Sequence, residues 1–199
     1  MRMVIACIHF MQALFAVSFR MKFHNTDNLP EGGVIICANH TSLIDPVFIV
    51  LAMKKRAYQK LKIIAKIELK KNKILHMLIG AVLIYVDRGK SDIAAIKETI
   101  SMLKDGNKLI IFPEGTRVNP EESMAAKTGI SMFALKSGVP VLPVYITAGK
   151  KPLFSFKKVD VVFGEAYYPE KRADIPLSEA YREIADDIMV RIRVLKPQE

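Results

Sequence analysis

Short apolar runs, rich in β-branched residues, alternate along this chain with longer stretches in which apolar residues recur at helical spacing. Continuous apolar runs bounded by turn residues predict buried strands. Four such runs are Val34–Ala38, Val82–Val86, Leu109–Phe112 and Val139–Ile146. Two further candidate strands are Lys62–Lys66 and Lys157–Phe163. In the second of these, polar and apolar residues alternate, which predicts an edge or half-exposed strand.

The stretches between these runs predict helices. They are Pro46–Lys55, Lys73–Gly80, Asp92–Lys104, Met124–Ser137 and Ser178–Leu195. Gly106 can stop the third helix, and Ser178 can cap the last one. Because strands and helices alternate, we expect an α/β fold with a layered, mostly parallel central sheet flanked by helices.

The first 22 residues form a separate region in this prediction. Met3–Phe19 contains no charged residue and is flanked by Arg2 and Arg20. As a helix it would be about 26 Å long, close to the roughly 30 Å of a bilayer's hydrocarbon core. We therefore expect residues 1–22 to form a membrane-anchoring helix and residues 23–199 to form a single domain. A core helix and a cleaved signal peptide are the alternatives.

Charge is concentrated in one segment. Lys54–Lys73 contains nine basic residues and one acidic residue, so it carries +8 of the net charge of +10. Such a cluster favours an anionic membrane surface or an anionic polymer; a solvated helix face is the remaining interpretation. Since no nucleic-acid-binding motif is visible, we expect a membrane and no nucleic acid. The four histidines and two cysteines show no metal-ligand spacing, so we expect no metal site.

Candidate chemistry begins directly after the first predicted strand, with His40 and Asp45. Residues five positions apart lie about 140° apart on a continuous helix, so the two side chains can meet only if the chain turns from strand to helix near Asp45-Pro46. In that geometry neutral His40 can take a proton from an attacking hydroxyl while Asp45 fixes its tautomer. The alternative is that Asp45 only caps the helix.

A second motif, Glu114-Gly115-Thr116-Arg117, follows the third predicted strand and is suited to an anionic group. Arg117 can clamp a phosphate through two hydrogen bonds, and backbone N–H groups of the turn can add to it. Arg88 and Lys127 are further candidate cations; the alternative for Arg88 is that it forms an ordinary turn pair with Asp87. Because the carboxyl ends of parallel strands share one edge of a sheet, we expect these motifs to converge there.

Four sequence blocks in this order resemble the glycerolipid acyltransferase family, and most closely its 1-acylglycerol-3-phosphate (lysophosphatidate) O-acyltransferase branch. The blocks are Asn-His-x4-Asp at 39–45, Val-Asp-Arg-Gly at 86–89, Phe-Pro-Glu-Gly-Thr-Arg at 112–117 and Gly-Val-Pro-Val-Leu-Pro-Val at 138–144. The similarity covers roughly residues 20–168.

The resemblance implies transfer of a fatty acyl group from acyl-CoA or acyl-carrier protein to the sn-2 hydroxyl of lysophosphatidate, forming phosphatidate. It implies His40 and Asp45 as the catalytic pair. The phosphate-binding residues would be Arg88, Glu114, Gly115, Thr116, Arg117 and Lys127. No metal or prosthetic group is expected, and the enzyme would work at the cytosolic face of the cytoplasmic membrane. Glycerol-3-phosphate or another lysophospholipid as acceptor, and a non-catalytic lipid-binding protein, remain alternatives.

Overall fold

Seven strands form one sheet. They are β1 (Arg20–His24), β2 (Val34–Ala38), β3 (Leu61–Lys66), β4 (Leu83–Val86), β5 (Lys108–Ile111), β6 (Val141–Ile146) and β7 (Lys158–Phe163). Their order across the sheet is β1-β7-β6-β2-β5-β3-β4. β2 to β6 run parallel, whereas β7 is antiparallel to β6 and β1 is parallel to β7. The predicted mostly parallel α/β sheet is therefore confirmed.

The computed structural model describes residues 20–42, 44–53, 60–66, 83–86, 93–117, 125–147 and 158–198. Several predicted features lie outside these residues: the anchor up to Phe19, the helix Lys73–Gly80, Arg88 and much of the basic segment. Within the described residues, no helix has the length and apolar character needed to cross a membrane.

Within the described residues, four α-helices flank the sheet: α1 (Asp45–Ala52), α2 (Ile93–Lys104), α3 (Gly129–Ser137) and α4 (Leu177–Val194). A short 3-10 helix, Thr26–Asn28, follows β1. Gly106 adopts a φ of +81° just after α2, so its predicted role in ending that helix is confirmed. Ser178 does not cap α4, because the helix begins one residue earlier, after Pro176.

The central strand β2 shows why a continuous apolar run was needed. All five of its residues are fully buried. Val34, Ile36 and Ala38 pack on the side of the sheet covered by α1, whereas Ile35 and Cys37 pack with residues of α2, α3 and α4. Each large aliphatic side chain buried in this way contributes roughly 1.5–3 kcal/mol to folding, so β2 is fixed firmly at the centre of the sheet.

β1 and β7 run antiparallel to the other five strands, and neither agrees fully with the prediction. β1 was not predicted, because its sequence Arg-Met-Lys-Phe-His is charged and largely exposed. It pairs with β7 from Arg20 opposite Lys158 to His24 opposite Val162. The prediction of an edge or half-exposed β7 was therefore wrong, and Asp160 on this strand is only 5% exposed. Residues 20–22, assigned to the anchor region, belong to the sheet.

Candidate active site

The loop that carries His40 is attached to the neighbouring strand by the side chain of Asn39. Its Nδ2 donates a hydrogen bond to the Ile146 carbonyl at 2.9 Å, and the Ile146 N–H donates to Asn39 Oδ1 at 2.8 Å. The last residue pair in register between β2 and β6 is Ala38 with Val144. The Asn39 amide thus continues the hydrogen bonding of the two strands beyond the end of β2 and fixes where the loop begins.

His40 and Asp45 meet across the turn from β2 into α1. His40 Nδ1 lies 3.0 Å from Asp45 Oδ2. The same oxygen accepts the N–H groups of Thr41 and Ser42, each at 2.7 Å. Asp45 is fully buried at the first position of α1, and Pro46 follows it with a φ suited to a helix start. Three donors therefore converge on one carboxylate oxygen and hold it in place.

The alternative that Asp45 serves only as a helix cap does not fit these contacts. Its Oδ2 points back to the loop, and within the described residues its Oδ1 has no hydrogen-bond partner. A carboxylate can only accept, so in this contact Nδ1 of His40 is the donor and the lone pair lies on Nε2. That is the tautomer a general base needs.

The aromatic ring of Phe112 supports the imidazole from one face. The two ring centres are 4.1 Å apart with an angle of 22° between the planes, which is a stacked arrangement. The His40 side chain remains 18% exposed. Phe112 directly follows β5, so a second strand of the parallel set helps to place the ring at the carboxyl edge.

Glu114 contacts His40 from the same turn after β5. Its Oε2 accepts the His40 backbone N–H at 3.1 Å, and its residue is only 5% exposed. Burial raises the pKa of Glu114 to about 7; backbone hydrogen bonds lower it, the nearby charge of Asp45 raises it, and Arg193 on α4 lowers it. The turn itself is closed by the Gly115 N–H donating to the Phe112 carbonyl, with Gly115 at a φ of +71°.

The remaining predicted phosphate-binding residues lie on the outside of this turn. Thr116 and Arg117 are exposed. The Lys127 N–H donates to the Pro113 carbonyl at 2.8 Å, which brings the exposed Lys127 beside the turn. Arg88 lies outside the described residues. The structure therefore places Arg117 and Lys127 on one edge of the sheet with His40. In the described part of the chain, no group of three His, Cys, Asp or Glu side chains is arranged as a metal site.

Two contributors to this site received no role from the sequence: Asn39 and Phe112. A signal was present for Asn39, because an amide directly after a buried strand carries both a donor and an acceptor for a neighbouring backbone. Phe112 was counted as the end of a strand, and nothing in the sequence indicated that its ring would face His40.

Comparison with known proteins shows which family this chain resembles. The sequence profile of the Acyltransferase family matches residues 20–147. The chain is 27% identical to the 1-acyl-sn-glycerol-3-phosphate acyltransferase of Bacillus subtilis, over 96% of this chain and 95% of that protein. It is 28% identical to a probable 1-acyl-sn-glycerol-3-phosphate acyltransferase of Mycoplasma pneumoniae, over 73% of this chain. There the match spans about half of the relative, 56% of its length.

A solved structure has the same fold. The crystal structure of the 1-acyl-sn-glycerophosphate acyltransferase PlsC from Thermotoga maritima superimposes with a TM-score of 0.75 at 26% identity, covering 98% of this chain and 80% of that one. The family resemblance inferred from the four sequence blocks is confirmed. The family profile matches more than half of the length of this chain, which therefore belongs to the Acyltransferase family.

Proposed function

We propose that this protein transfers a fatty acyl group from a thioester donor to the sn-2 hydroxyl of 1-acylglycerol-3-phosphate, forming phosphatidate. The observation that carries the proposal is the contact of His40 with a fully buried Asp45 at the carboxyl edge of the sheet. Ligands bind at this edge in open α/β folds. The acceptor is the one for which the similar acyltransferases are named, and the acyl donor is acyl-CoA or acyl-carrier protein as a co-substrate.

In the proposed reaction, the oxygen of the acceptor hydroxyl bonds to the carbonyl carbon of the thioester while His40 Nε2 takes the hydroxyl proton. The carbon–sulfur bond then breaks, and the departing thiolate takes this proton from the imidazolium of His40. Asp45 keeps Nδ1 as the donor and stabilises the positive charge between the two steps. Positioned general-base catalysis of this kind contributes on the order of 10²- to 10⁴-fold to the rate.

The acceptor phosphate would bind on the outside of the turn after β5. Arg117 and Lys127 are cations beside that turn, and Thr116 adds a hydroxyl. A guanidinium can hold two phosphate oxygens at once, which fixes the acceptor relative to His40. Arg88 belongs to the same proposed set.

The membrane would face this edge of the sheet. Because β7 is antiparallel to β6, its first residue lies at the edge where β6 ends. Lys158 there is paired in register with Arg20, and Lys22 follows on β1; all three are exposed. Each basic residue near an anionic bilayer is worth about 1 kcal/mol of attraction. These residues support a place at the cytosolic face of the membrane, next to the proposed N-terminal anchor that precedes β1.

The test is acyl transfer by the purified full chain in detergent or liposomes, measured as phosphatidate formed from lysophosphatidate with acyl-CoA or acyl-carrier protein. We expect product with at least one donor and none above background with His40→Ala. Arg117→Ala should raise the KM for lysophosphatidate about tenfold with little change in kcat, because it removes binding that ground state and transition state share.

Several outcomes would contradict the proposal. Full activity of His40→Ala would exclude the general-base mechanism. Transfer to glycerol-3-phosphate or another lysophospholipid, without lysophosphatidate turnover, would change the acceptor and retain the reaction. Absence of transfer from both donors to every acceptor in the panel would leave lipid binding as the function.

A further inference from the structure

Glu114 stands apart from the other residues of its turn. Thr116 and Arg117 are exposed, whereas Glu114 is 5% exposed and its carboxylate lies against the backbone of His40. Neighbours in one short turn therefore have opposite orientations. The exposed pair is placed for a ligand in solution, and the buried carboxylate is placed for the loop that carries the base.

We propose that Glu114 is a positioning residue for His40, which it holds through the backbone N–H so that the imidazole keeps its contacts with Asp45 and Phe112. This inference rests on the proposed function of His40 as the general base. It gives Glu114 a role in orienting the base instead of a direct contact with the acceptor phosphate.

Three contacts locate His40, and the turn after β5 provides two of them. Glu114 holds the backbone N–H, Phe112 stacks on the ring, and Asp45 holds Nδ1. Glu114 and Phe112 come from the same turn, so the position of the histidine relative to β5 is set at both its main chain and its side chain. Displacement of a reacting group by about 1 Å can cost on the order of 100-fold in rate, which is why such an anchor matters for catalysis.

Electrostatics argue against Glu114 as a direct phosphate ligand. The carboxylate is already buried beside Asp45, and both effects destabilise its negative charge; Arg193 on α4 acts in the opposite direction. A phosphate dianion placed against the same carboxylate would add a second like charge in a poorly solvated place. A backbone N–H, by contrast, is neutral. It can donate a hydrogen bond to the buried carboxylate without bringing a second charge close to it.

The proposal has a consequence for the pH dependence of the enzyme. A hydrogen bond to an ionised acceptor is stronger than one to a neutral acceptor. Glu114 therefore holds the His40 N–H most strongly when its carboxyl group is ionised. Because the pKa of Glu114 is raised to about 7, this happens only above neutral pH. Protonation of Glu114 below about pH 7 weakens this hydrogen bond and so lowers kcat. The kcat of the wild type should therefore fall by up to about tenfold as Glu114 becomes protonated.

Glu114→Gln tests this role, with Glu98→Gln as the matched control because Glu98 is an exposed carboxylate on α2. We expect Glu114→Gln to lower kcat roughly tenfold and to change the KM for lysophosphatidate less than twofold. This part of the pH dependence of kcat should be absent in Glu114→Gln, and Glu114→Ala should lose more activity than Glu114→Gln. The control should match the wild type. A raised KM with unchanged kcat, or a pH profile of kcat identical in shape to that of the wild type, would overturn the proposal.

A readout independent of turnover separates this proposal from the proposed function. The imidazole ¹⁵N spectrum of histidine-labelled protein, with His40→Ala to identify the signal, reports whether Nδ1 remains the hydrogen-bonded nitrogen. Glu114→Ala should disturb the His40 signal, even in protein for which no acceptor is turned over. An unchanged signal would overturn the positioning role, whatever the assays show.

The Glu114→Gln variant is expected to fold. The pKa of Glu114 is higher in the folded chain than its ordinary value, so ionising this group lowers the stability of the folded state as pH rises from about 4.5 to about 7. Glutamine removes that charge. At pH 8, Glu114→Gln should therefore unfold at a urea concentration no lower than the wild type, and lost activity can be assigned to the site.

Discussion

In the part of the chain that the structure describes, two histidine–aspartate pairs have nearly the same length and very different surroundings. His40 Nδ1 lies 3.0 Å from Asp45, and His24 Nε2 lies 2.8 Å from Asp160. The first pair spans five positions in the sequence, and the second joins β1 to β7 across 136 positions. By distance alone the second pair is the better one, yet only the first has the features of a catalytic site.

The difference lies in what else each aspartate contacts. Asp45 is held by two backbone N–H groups, whereas Asp160 is shared between His24 and the ammonium group of Lys158 at 3.2 Å. At Asp160, Lys158 is a second cation that competes with His24 for the negative charge of the carboxylate. At Asp45, the backbone donors fix the position of the carboxylate, and its charge remains available to stabilise the imidazolium.

The two rings also differ in orientation and exposure. His40 uses Nδ1, so Nε2, the nitrogen farther from the backbone, remains for a substrate. His24 uses Nε2 itself, and its side chain is 44% exposed. The fixed surroundings of the aspartate and the choice of nitrogen therefore distinguish the proposed catalytic pair from the pair of His24 and Asp160, and the bond length does not.

The strongest test of this distinction exchanges each aspartate for its amide. Asp45→Asn should lower kcat/KM for acyl transfer on the order of 10²- to 10⁴-fold, because the amide no longer fixes the tautomer or stabilises the imidazolium. Asp160→Asn should leave kcat/KM within about twofold of the wild type. Steady-state kinetics of both proteins at one pH decide the matter. Comparable losses in the two variants would mean that the two pairs do not differ in function.

A smaller effect is expected from the anchor of the His40 loop. Asn39→Ala removes both hydrogen bonds to Ile146, so kcat should fall roughly tenfold through misplacement of His40. The matched control is Asn28→Ala, which removes one hydrogen bond to the Gly164 carbonyl on the side of the sheet that carries His24. That variant should keep its kcat. Equal kcat values for the two variants would show that the Asn39 amide is not needed for catalysis.

The smallest effect concerns stability. Burial raises the pKa of Asp160, but hydrogen bonds from His24 and Lys158 outweigh it, so the pKa lies below its usual value. A lowered pKa means that Asp160 stabilises the fold above about pH 4 and loses that contribution as pH falls through its folded pKa. Because both partners are largely exposed, we expect Asp160→Asn to lower the free energy of unfolding by only about 1 kcal/mol at pH 7.

Urea unfolding at several pH values measures this contribution. The difference between Asp160→Asn and the wild type should shrink as the pH is lowered below 4. A difference that grew on acidification would contradict the assigned sign.

Sequence patterns predicted those parts of the molecule whose formation depends on burial. β2 was predicted at its observed bounds, because a strand covered on both faces must be apolar throughout. The meeting of His40 with Asp45 followed from the turn that Asp45-Pro46 imposes. β1 was missed because it adds to the sheet mainly through backbone hydrogen bonds, which leave no apolar pattern. The direction of the Glu114 side chain could not be predicted either, because the sequence Glu-Gly-Thr-Arg is compatible with a carboxylate that faces a ligand and with one that faces the His40 loop.

The pairing of β1 with β7 also has a consequence for synthesis of the chain. At about 5–20 residues per second, the ribosome needs roughly 7–27 s to make the 136 residues that separate His24 from Asp160. During that time β1 has been made but its neighbour has not. An unpaired strand edge invites aggregation, and Lys and other charged side chains discourage it. Arg20 and Lys22 are charges of the kind that discourages such aggregation before β7 has been made.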